Sequence, residues 1–322
     1  MKAAVKHTPQ GAPSYGDFPE PTAGEGREIV ELAAAGIHPI VRSLAEGGHY
    51  GSTGTWPLIP GVDAVARTAD GTLVYTGFVE APYGTLAERM AVPATLRQPL
   101  PGAAGPVQIA AGLNPGLASW MPLRSRVDEA GTPGTVVVLG VTGMAGMLAV
   151  QNARLLGASR VIGAGRNPAG LDRAATAGAV PVALSGDHAK DAAALAAALD
   201  EAPPGLILDF VWGAPAEAMF AALARRGLQQ DAADIAYVQI GACAGPRASV
   251  PAALLRSRRI RMTGSGAGSA SIAAIVAQLP AYMRLIADGR VQVPIRTFPL
   301  SHIADAWTAA CDCGPRVVIL PG

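Results

Sequence analysis

The sequence predicts an α/β protein in which a doubly wound, parallel six-stranded sheet is joined to a β-rich region. Three observations favour this class. Short apolar strand patterns alternate with helical patterns over residues 135–264. Residues 1–102 instead carry loosely alternating strands separated by Gly and Pro, and two more strand patterns, 291–298 and 316–320, close the chain. Strands that alternate with helices form parallel sheets, whereas many short strands between turns favour a partly closed barrel.

Length and composition limit the number of domains and the kinds of partner that we expect. The chain has 322 residues, of which 50% are hydrophobic and 15% charged, and its formal net charge is +1. Two domains with large cores are therefore expected, and no basic block indicates a nucleic-acid or membrane partner. No apolar run reaches the ~18 residues of a membrane span, and no signal-peptide core is present, so we expect a cytoplasmic protein. Cys311 and Cys313 are expected to be reduced thiols there.

In the first region the pattern predicts five strands and one helix. The strands are predicted at Lys2–Val5, Glu28–Ala34, Gly61–Arg67, Thr72–Phe78 and Leu86–Val92, and the helix at Pro39–Gly47.

The most informative stretch begins at Thr135–Leu139, where apolar residues, most of them β-branched, occupy consecutive positions. This pattern is typical of a strand buried on both faces of a parallel sheet. Glycines in the spacing GxxGxxG follow and end at Gly146. A helix is then predicted over Met144–Leu156 and a second strand over Arg160–Ala164. A strand, a glycine turn, a helix and a strand form a unit of dinucleotide-binding type.

The glycines have a steric reason. A tight turn must bring bare backbone amides up to a pyrophosphate at the positive end of a helix. A side chain at Gly143 or Gly146 would hold the phosphates or the sheet away. The common fingerprint is GxGxxG, and Val141 stands where its first glycine would be. The alternative is a turn with a purely structural role.

The end of the second strand predicts the cofactor. The residue that contacts the ribose is expected ~20 positions after the glycines, and Arg166 stands there. An acidic residue would bond the free hydroxyls of NAD, whereas an arginine suits the 2′-phosphate of NADP. The sequence therefore predicts NADP(H), unless Arg166 is an ordinary solvated arginine.

The rest of the chain continues the alternation. Further strands are predicted at Pro181–Leu184, Leu206–Val211, Ala236–Ile240 and Arg261–Gly264, with helices at Ala169–Gly178, His188–Leu199, Ala214–Ala224 and Ile272–Asp288. A helix over Pro106–Arg126 is predicted to break at Asn114-Pro115-Gly116. We expect residues 113–288 to form the dinucleotide-binding domain, and residues 1–112 with 289–322 to form the substrate domain.

Segments along nearly the whole chain resemble one superfamily. They are PLIPGVDAVA at Pro57–Ala66, YGTLAERMAVP at Tyr83–Pro93, AAGLNPGLASW at Ala110–Trp120, the glycine unit, GRNP at Gly165–Pro168, VQIGACAG at Val238–Gly245 and the closing PRVVILP. Together they resemble the medium-chain dehydrogenase/reductase superfamily, in its zinc-free branch of quinone oxidoreductases and enoyl reductases. The resemblance implies a Rossmann domain, a GroES-like partly closed barrel and a homodimer through edge strands.

The zinc-dependent branch is a poor match. Residues 1–242 contain no cysteine. Where zinc-dependent relatives have a Cys and the sequence GHE, this chain has His38 and Gly61-Val62-Asp63. A catalytic zinc needs about three close protein ligands. A mixed site built from His38, His49 and Asp63 remains as the alternative.

Chemistry without a metal favours some substrates over others. Little is present to polarise a simple ketone, whereas hydride addition to an activated C=C or a quinone needs only donors that stabilise the resulting oxyanion. We therefore expect an NADPH-dependent reductase of a small-molecule enone, enoyl compound or quinone. A ketone or imine reductase on the same fold, and a catalytically silent NADPH-binding protein, are the alternatives.

The resemblance also implies site residues. His38 and Tyr50 are the expected catalytic residues, His38 as a donor to the substrate or the nicotinamide ribose and Tyr50 as a proton donor. Each residue also has a structural alternative. His38 could be a histidine that hydrogen-bonds only to the backbone, and Tyr50 could be an exposed or packed tyrosine. The expected cofactor contacts are Asn114, Ser119, Thr142, Gly143, Met144, Gly146, Arg166, Asn167, Gly241, Ala242, Gly264 and Ser265. Relatives often have Lys and Tyr where Gly170 and Ser185 stand, so a milder NADP preference is expected.

Overall fold

A computed structural model describes residues 1–102, 104–199, 203–225, 227–228, 230–266, 268–310 and 314–322. Cys311 and Cys313 lie outside the described residues. Within the described part, none of the helices combines the length and the apolar character needed to cross a bilayer.

Fifteen strands are assigned in the described residues. They are β1 (Lys2–Val5), β2 (Ser14–Asp17), β3 (Arg27–Gly36), β4 (Asp63–Arg67), β5 (Leu73–Gly77), β6 (Arg89–Pro93), β7 (Gln98–Pro99), β8 (Thr135–Leu139), β9 (Arg160–Gly165), β10 (Val180–Ala183), β11 (Pro204–Asp209), β12 (Ile235–Gln239), β13 (Ile260–Gly264), β14 (Ile295–Pro299) and β15 (Arg316–Leu320). The α-helices are α1 (Pro39–Ala45), α2 (Pro106–Ala130), α3 (Met144–Leu155), α4 (Pro168–Thr176), α5 (His188–Leu199), α6 (Gly213–Ala222), α7 (Ala252–Ser257), α8 (Ile272–Ala287) and α9 (Ile303–Ala309).

The chain divides into two compact units. The first contains Met1–Pro115 and Val276–Gly322, and the second contains Gly116–Ile275. Both divisions fall inside long helices, α2 and α8, whereas the sequence placed them after residues 112 and 288. The end of α8 groups with the first unit because Ile286 packs beside Gly112, where an added Cβ would lie 3.4 Å from the Ile286 Cδ1 atom.

The first unit is built on a mixed seven-stranded sheet in the order β14-β15-β3-β4-β5-β7, with β6 also paired to β3. The long strand β3 runs antiparallel to β4, β6 and β15. The closing strands therefore return to the first sheet, as the sequence predicts. A separate two-stranded sheet joins β1 to β2. The core contains the apolar faces of β1, β3, β4 and β6, together with α1 and α9.

The second unit contains the parallel six-stranded sheet in the order β10-β9-β8-β11-β12-β13. All of its pairings are parallel. Two apolar clusters cover its opposite faces, one around α5 and α6 and the other around α2, α3 and α4. The order reverses between β8 and β11, and in open α/β sheets ligands bind at the carboxyl ends of the strands at this point. The predicted fold class is confirmed.

Helix α2 differs from the prediction, because it continues through Asn114-Pro115-Gly116 instead of breaking there. Proline in a helix interior removes one backbone hydrogen bond. Burial outweighs this cost here, since Leu113 and Trp120 on either side of Pro115 are both buried. Asn152 also donates from Nδ2 to the Gly116 carbonyl oxygen at 3.0 Å, which satisfies one main-chain acceptor near the proline.

Two strands and two α-helices were not predicted: β2, β7, α7 and α9. Strand β2 has the sequence SYGD and is largely exposed, so it lacks an alternating apolar pattern. Its pairing with β1 defines it as a strand. The other three have two to seven residues, which is too short for a periodic pattern to be recognised.

Candidate functional site

The glycine turn joins β8 to α3 in the second unit. The N–H groups of Gly140 and Val141 both donate to the Ala164 carbonyl oxygen, at 2.9 and 3.1 Å, which fixes the turn to the end of β9. Gly143 is the N-cap of α3, and no side chain caps the helix there. The first N–H groups of a helix have no partner within it. With no acidic residue in the first turn, this positive helix end is suited to an anion.

Gly146 is required for this geometry. A Cβ added at Gly146 would fall 2.7 Å from the Val141 Cα atom and inside contact distance of the Gly140 carbonyl oxygen. Gly143 differs, because an added Cβ there would meet nothing closer than 3.6 Å. Gly146 therefore allows α3 to pack on the turn, while the Cβ side of Gly143 is open and its N–H donates to the Gly140 carbonyl oxygen at 3.2 Å.

Thr142 fills the space between the turn and the next strand–helix unit. Its side chain lies against Gly165 at the end of β9 and Gly170 in the first turn of α4. A Cβ at Gly170 would lie 2.6 Å from the Thr142 Cβ atom. This contact requires glycine at position 170, because any Cβ there would overlap the Thr142 side chain.

Arg166 is exposed at the end of β9 and has no hydrogen-bond or ion-pair partner among the described residues. The neighbouring Asn167 caps α4, because its Oδ1 accepts from the Gly170 N–H at 2.8 Å. Ser185 does not assist Arg166. Its hydroxyl donates to Asp191 Oδ1 at 2.8 Å, and its N–H donates to the same oxygen at 2.7 Å. Arg166 is thus left as an accessible cation at this strand end.

The turn after β11 is a part of the site that sequence reasoning missed. Phe210 and Val211 lie against Gly140 at the reversal of strand order. Asp209, which is fully buried, accepts from the Val211 and Trp212 N–H groups at 2.9 and 2.8 Å and from the Tyr237 hydroxyl at 2.6 Å. Burial raises the pKa of Asp209, although these donors oppose the shift. The signal available in the sequence was the position of the fourth strand, next to the first in a doubly wound sheet.

The ends of β12 and β13 carry the next predicted contacts. Gly241 packs on the main chain of Phe210, and Ala242 is exposed beside it. Ser265 follows β13, where its N–H donates to the Gln239 carbonyl oxygen at 2.8 Å. Gly264 is also exposed.

Two hollows of about 380 and 390 Å³ border β13. The first is lined by alternate residues Tyr237 and Gln239, and the second by Ala236 and Val238. Since successive strand residues point to opposite faces, the hollows lie on opposite faces of the sheet edge. Within the described residues, each face of this sheet edge therefore borders an open hollow.

Ser119 is placed differently from its prediction. Its side chain is fully buried, its hydroxyl donates to the Gly116 carbonyl oxygen at 3.2 Å, and it accepts from Asn152 Nδ2 at 2.9 Å. A residue enclosed in this way packs α2 against α3 and offers no accessible group to a cofactor. The structure therefore does not support Ser119 as a cofactor contact.

His38 follows β3 in the first unit and is only 1% exposed. Its Nε2 lies 3.7 Å from Asp63 Oδ2, which is beyond hydrogen-bond distance, and neither ring nitrogen has a hydrogen-bond partner. Burial lowers the pKa of His38, although the charge of Asp63 opposes the shift. The ring is enclosed, so direct donation to a substrate is not favoured.

Asp63 is the polar centre of the first unit and is 5% exposed. Its carboxylate accepts from the Tyr75 hydroxyl at 2.9 Å and from Asn114 Nδ2 at 3.1 Å. Arg316 belongs to the same environment: burial lowers its pKa to about 10, and the charge of Asp63 opposes that shift. Two predicted residues, His38 and Asn114, are thus brought together by one that was considered only as a zinc ligand.

Tyr50 lies on the loop after α1 and is 78% exposed. Its ring lies against the ring of His49, with 4.0 Å between centroids. His49 Nδ1 accepts from the Gly51 N–H at 3.0 Å, which places the proton of the neutral ring on Nε2. The Tyr50 hydroxyl is the accessible weak acid of this loop.

No group of three His, Cys, Asp or Glu side chains in the described ranges is close enough to bind a metal ion. His38 and Asp63 lie together, but no third such side chain joins them within that part of the chain.

Known proteins match over the whole chain. The probable NADPH-dependent quinone reductase tdiC of Emericella nidulans is 29% identical, with 96% of each chain aligned. The quinone oxidoreductase of Thermus thermophilus is 26% identical, with 99% of this chain and 100% of that one covered and a TM-score of 0.79. An alcohol dehydrogenase superfamily protein of Novosphingobium aromaticivorans shares the fold at 21% identity, full coverage of both chains and a TM-score of 0.79.

This chain therefore resembles the medium-chain dehydrogenase/reductase superfamily along its whole length, as the sequence predicts. No protein-family model matches it.

The glycine turn generates a prediction about stability. Gly146→Ala should lower the free energy of unfolding by about 1–3 kcal/mol, because the added methyl group overpacks the contact with Gly140 and Val141. Gly143→Ala is the matched control and should stay within about 1 kcal/mol of the parent, because its surroundings are open and the φ of Gly143, −84°, is ordinary. Urea unfolding followed by circular dichroism measures both, and equal losses in the two variants would contradict the account.

The burial of His38 generates a prediction about pH. Because its pKa in the folded state lies below the ordinary 6.5, protonation favours unfolding. Stability should therefore be complete above about pH 6.5 and fall below it, by up to ~1.4 kcal/mol per pH unit for one proton. His38→Asn should reduce this slope, whereas His302→Asn, at an exposed site, should keep it. An unchanged slope in His38→Asn shows that another group is responsible.

Proposed function

We propose that this chain is an NADPH-dependent oxidoreductase of the quinone-reductase type that works without a catalytic zinc. The observation that carries the proposal is the open, uncapped start of α3 beside the unpaired cation of Arg166. The names of the Emericella and Thermus relatives, which describe quinone reductases, support it.

The residues of the second unit fit the cofactor. Thr142, Gly143 and Met144 form the turn that would hold the pyrophosphate on main-chain N–H groups, with Gly146 allowing the helix to approach. Arg166 would bind the 2′-phosphate, since a guanidinium matches the oxygens of a phosphate group. Asn167 fixes the start of α4 beside it. Gly241, Ala242, Gly264 and Ser265 lie at the carboxyl ends of β12 and β13 and would border the nicotinamide.

The protein's own side chains would supply the proton that the reduced substrate needs. NADPH, when bound, supplies a hydride. A quinone that accepts a hydride also needs one proton to become a hydroquinone, and the hydroxyl of Tyr50 is an exposed group able to donate it. His38 would not contact the substrate. Its neutral ring would pack beside the Asp63 carboxylate.

The polarity of the loop that carries Tyr50 favours a quinone over an enoyl thioester with a charged carrier. Residues 43–66 contain no Lys or Arg, and the acidic residues of that segment are Glu46 and the buried Asp63. The phosphates of a thioester carrier call for cations, whereas a neutral planar ring suits the His49–Tyr50 pair. A substrate panel of quinones, enones, enoyl thioesters and ketones tests this directly.

We also propose a homodimer through β13. This strand is at the sheet edge, Arg261, Thr263 and Gly264 are exposed on it, and both of its faces are hollow. An exposed edge strand readily pairs with another chain. Sedimentation velocity should give twice the 32.5 kDa of one chain, and a single-chain mass at micromolar concentration would contradict the proposal.

Arg166 generates a prediction about cofactor choice. Arg166→Ala should raise the NADPH dissociation constant roughly 10- to 100-fold, the usual effect of removing a charge-assisted hydrogen bond. NADH affinity should not change, because NADH lacks the 2′-phosphate. Arg173→Ala, at another exposed arginine, should leave both affinities unchanged. Calorimetry measures all of these constants, and equal NADPH affinity in Arg166→Ala and the parent removes Arg166 from this role.

Tyr50 generates a prediction about turnover. Tyr50→Phe should lower kcat for a quinone on the order of 100-fold, the range of a lost general acid, with the NADPH dissociation constant unchanged. Tyr15→Phe, at a 40% exposed tyrosine of the same unit, is the matched control. NADPH oxidation followed by absorbance measures kcat, and a normal kcat in Tyr50→Phe assigns the proton to water.

A further inference from the structure

The turn at residues 210–212 joins β11 to α6 and lies between two glycine loops of the second unit. Strand β11 pairs with β8 on one side and with β12 on the other. A Cβ added at Gly140, which follows β8, would lie 2.7 Å from the Val211 Cγ1 atom. A Cβ added at Gly241, in the loop after β12, would lie 3.1 Å from the Phe210 carbonyl carbon. The turn is therefore packed directly against the main chain of both loops.

The loop after β12 takes its position from the residues at the end of β11. The N–H groups of Ile240 and Gly241 both donate to the Asp209 carbonyl oxygen, at 2.7 and 3.1 Å. Further along the same loop, the Ala244 N–H donates to the Val211 carbonyl oxygen at 2.8 Å. A displacement of the turn after β11 would therefore move the loop after β12 as well.

The side chain of Asp209 holds this turn in place. It is fully buried, and its Oδ1 accepts from the Val211 and Trp212 N–H groups at 2.9 and 2.8 Å. Its Oδ2 accepts from the Tyr237 hydroxyl at 2.6 Å. Burial raises the pKa of Asp209, and these three donors oppose the shift. An ionised carboxylate can only accept hydrogen bonds, so the three donors suit that form.

Trp212 shows why the turn needs such support. Its φ is 55°, a value that residues other than glycine rarely adopt. Such a conformation persists only where the surrounding structure holds it. The Trp212 N–H is bonded to Asp209, and the indole ring makes edge contacts with Phe220 and Tyr237, with ring centroids 5.9 and 6.3 Å apart. Asp209 and Tyr237 therefore stabilise a turn that the local sequence does not favour by itself.

We propose that Asp209 is a positioning residue for the nicotinamide half of the cofactor. This inference rests on the proposed function, in which Gly241 and Ala242 border the nicotinamide. Asp209 acts through the main chain, because it fixes the turn after β11 and thereby the loop that contains these two residues. Its side chain is enclosed and does not itself contact the cofactor.

The adenosine half of the cofactor would be held by contacts that do not involve Asp209. Arg166 follows β9, and the N–H groups of Gly140 and Val141 are bonded to the Ala164 carbonyl oxygen of that strand. Adenosine 2′,5′-bisphosphate contains the 2′-phosphate and one phosphate of the pyrophosphate, and it lacks the nicotinamide. A comparison of this ligand with NADPH therefore isolates the half that depends on Asp209.

Calorimetry with the two ligands tests the proposal. Asp209→Ala should raise the NADPH dissociation constant at least about tenfold, the effect expected when hydrogen bonds to a charged group are lost. The dissociation constant of adenosine 2′,5′-bisphosphate should stay within about twofold of the parent, because sites without shared contacts act independently. Equal losses for the two ligands, or no loss of NADPH affinity, would overturn the inference.

The conservative variant separates position from charge. In Asp209→Asn the amide oxygen can still accept from the Val211 and Trp212 N–H groups, and the NH₂ group can donate to the Tyr237 hydroxyl oxygen. NADPH affinity should therefore return to within about threefold of the parent, since most of the hydrogen bonds are retained. An Asp209→Asn variant that binds NADPH as weakly as Asp209→Ala would contradict a positioning role.

Asp231 provides the matched control. It is also buried and accepts from the Ala233 and Arg259 N–H groups at 3.2 and 3.1 Å, but it precedes β12 and so lies at the opposite edge of the sheet. Asp231→Ala should lower stability without changing the ratio of the two dissociation constants. A changed ratio in this variant would show that any loss of a buried aspartate has the same effect, which overturns the inference.

A second variant covers the case in which Asp209→Ala does not fold. Tyr237→Phe removes the donor to Asp209 Oδ2 and should weaken NADPH binding about threefold, with adenosine 2′,5′-bisphosphate binding unchanged. Equal binding of NADPH by Tyr237→Phe and the parent would then overturn the inference. A parent protein that gives no heat with either ligand refutes the proposed function. A parent that binds both, combined with variants that do not distinguish them, refutes only this inference.

Discussion

The close approach of α3 to the end of β8 is the contact on which the site depends. Gly146 has no Cβ, so the helix packs directly on the main chain of Gly140 and Val141. That contact fixes the direction of the first turn of α3 and leaves its N–H groups facing outward. The same turn is hydrogen-bonded to Ala164, so its position is tied to β9, the strand that Arg166 follows. One steric requirement therefore positions both the turn that we propose binds the pyrophosphate and the neighbouring strand end that carries Arg166.

The first unit differs from the second because charged side chains are buried inside it. Asp63 and Arg316 are both nearly enclosed, and removing charges from water is costly unless hydrogen bonds and an opposite charge offset it. Asp63 has donors on both oxygens, and Arg316 donates to the Ile37 carbonyl oxygen at 3.0 Å. His38 is left with unpaired nitrogens in this environment, and a neutral ring is the form that burial favours. The hydrogen bonds of Asp63 connect β4 to β5 and to α2.

Local pattern predicted much of the second unit, because each of its buried strands is a short apolar run between turn residues. The predicted and observed bounds of β8 agree, and α3 differs by one residue. Elements that form because of contacts with other parts of the chain were harder to predict from the sequence. Strand β2 exists through pairing with β1, and α2 continues through Pro115 because its neighbours are buried. Ser119 was assigned to the cofactor by resemblance, but α3 packs over it, which no local pattern could reveal.

The sequence by itself determined the fold class, the glycine turn and the cation at the end of β9, because these depend on residue type and spacing along one segment. Tertiary structure alone decided which residues surround them. Phe210 and Val211 lie beside Gly140 because β11 pairs with β8, and Asp63 holds Asn114 because β4 and α2 pack together. Contacts between residues more than fifty positions apart depend on how strands pair and helices pack. Local patterns in a single sequence do not show this pairing and packing.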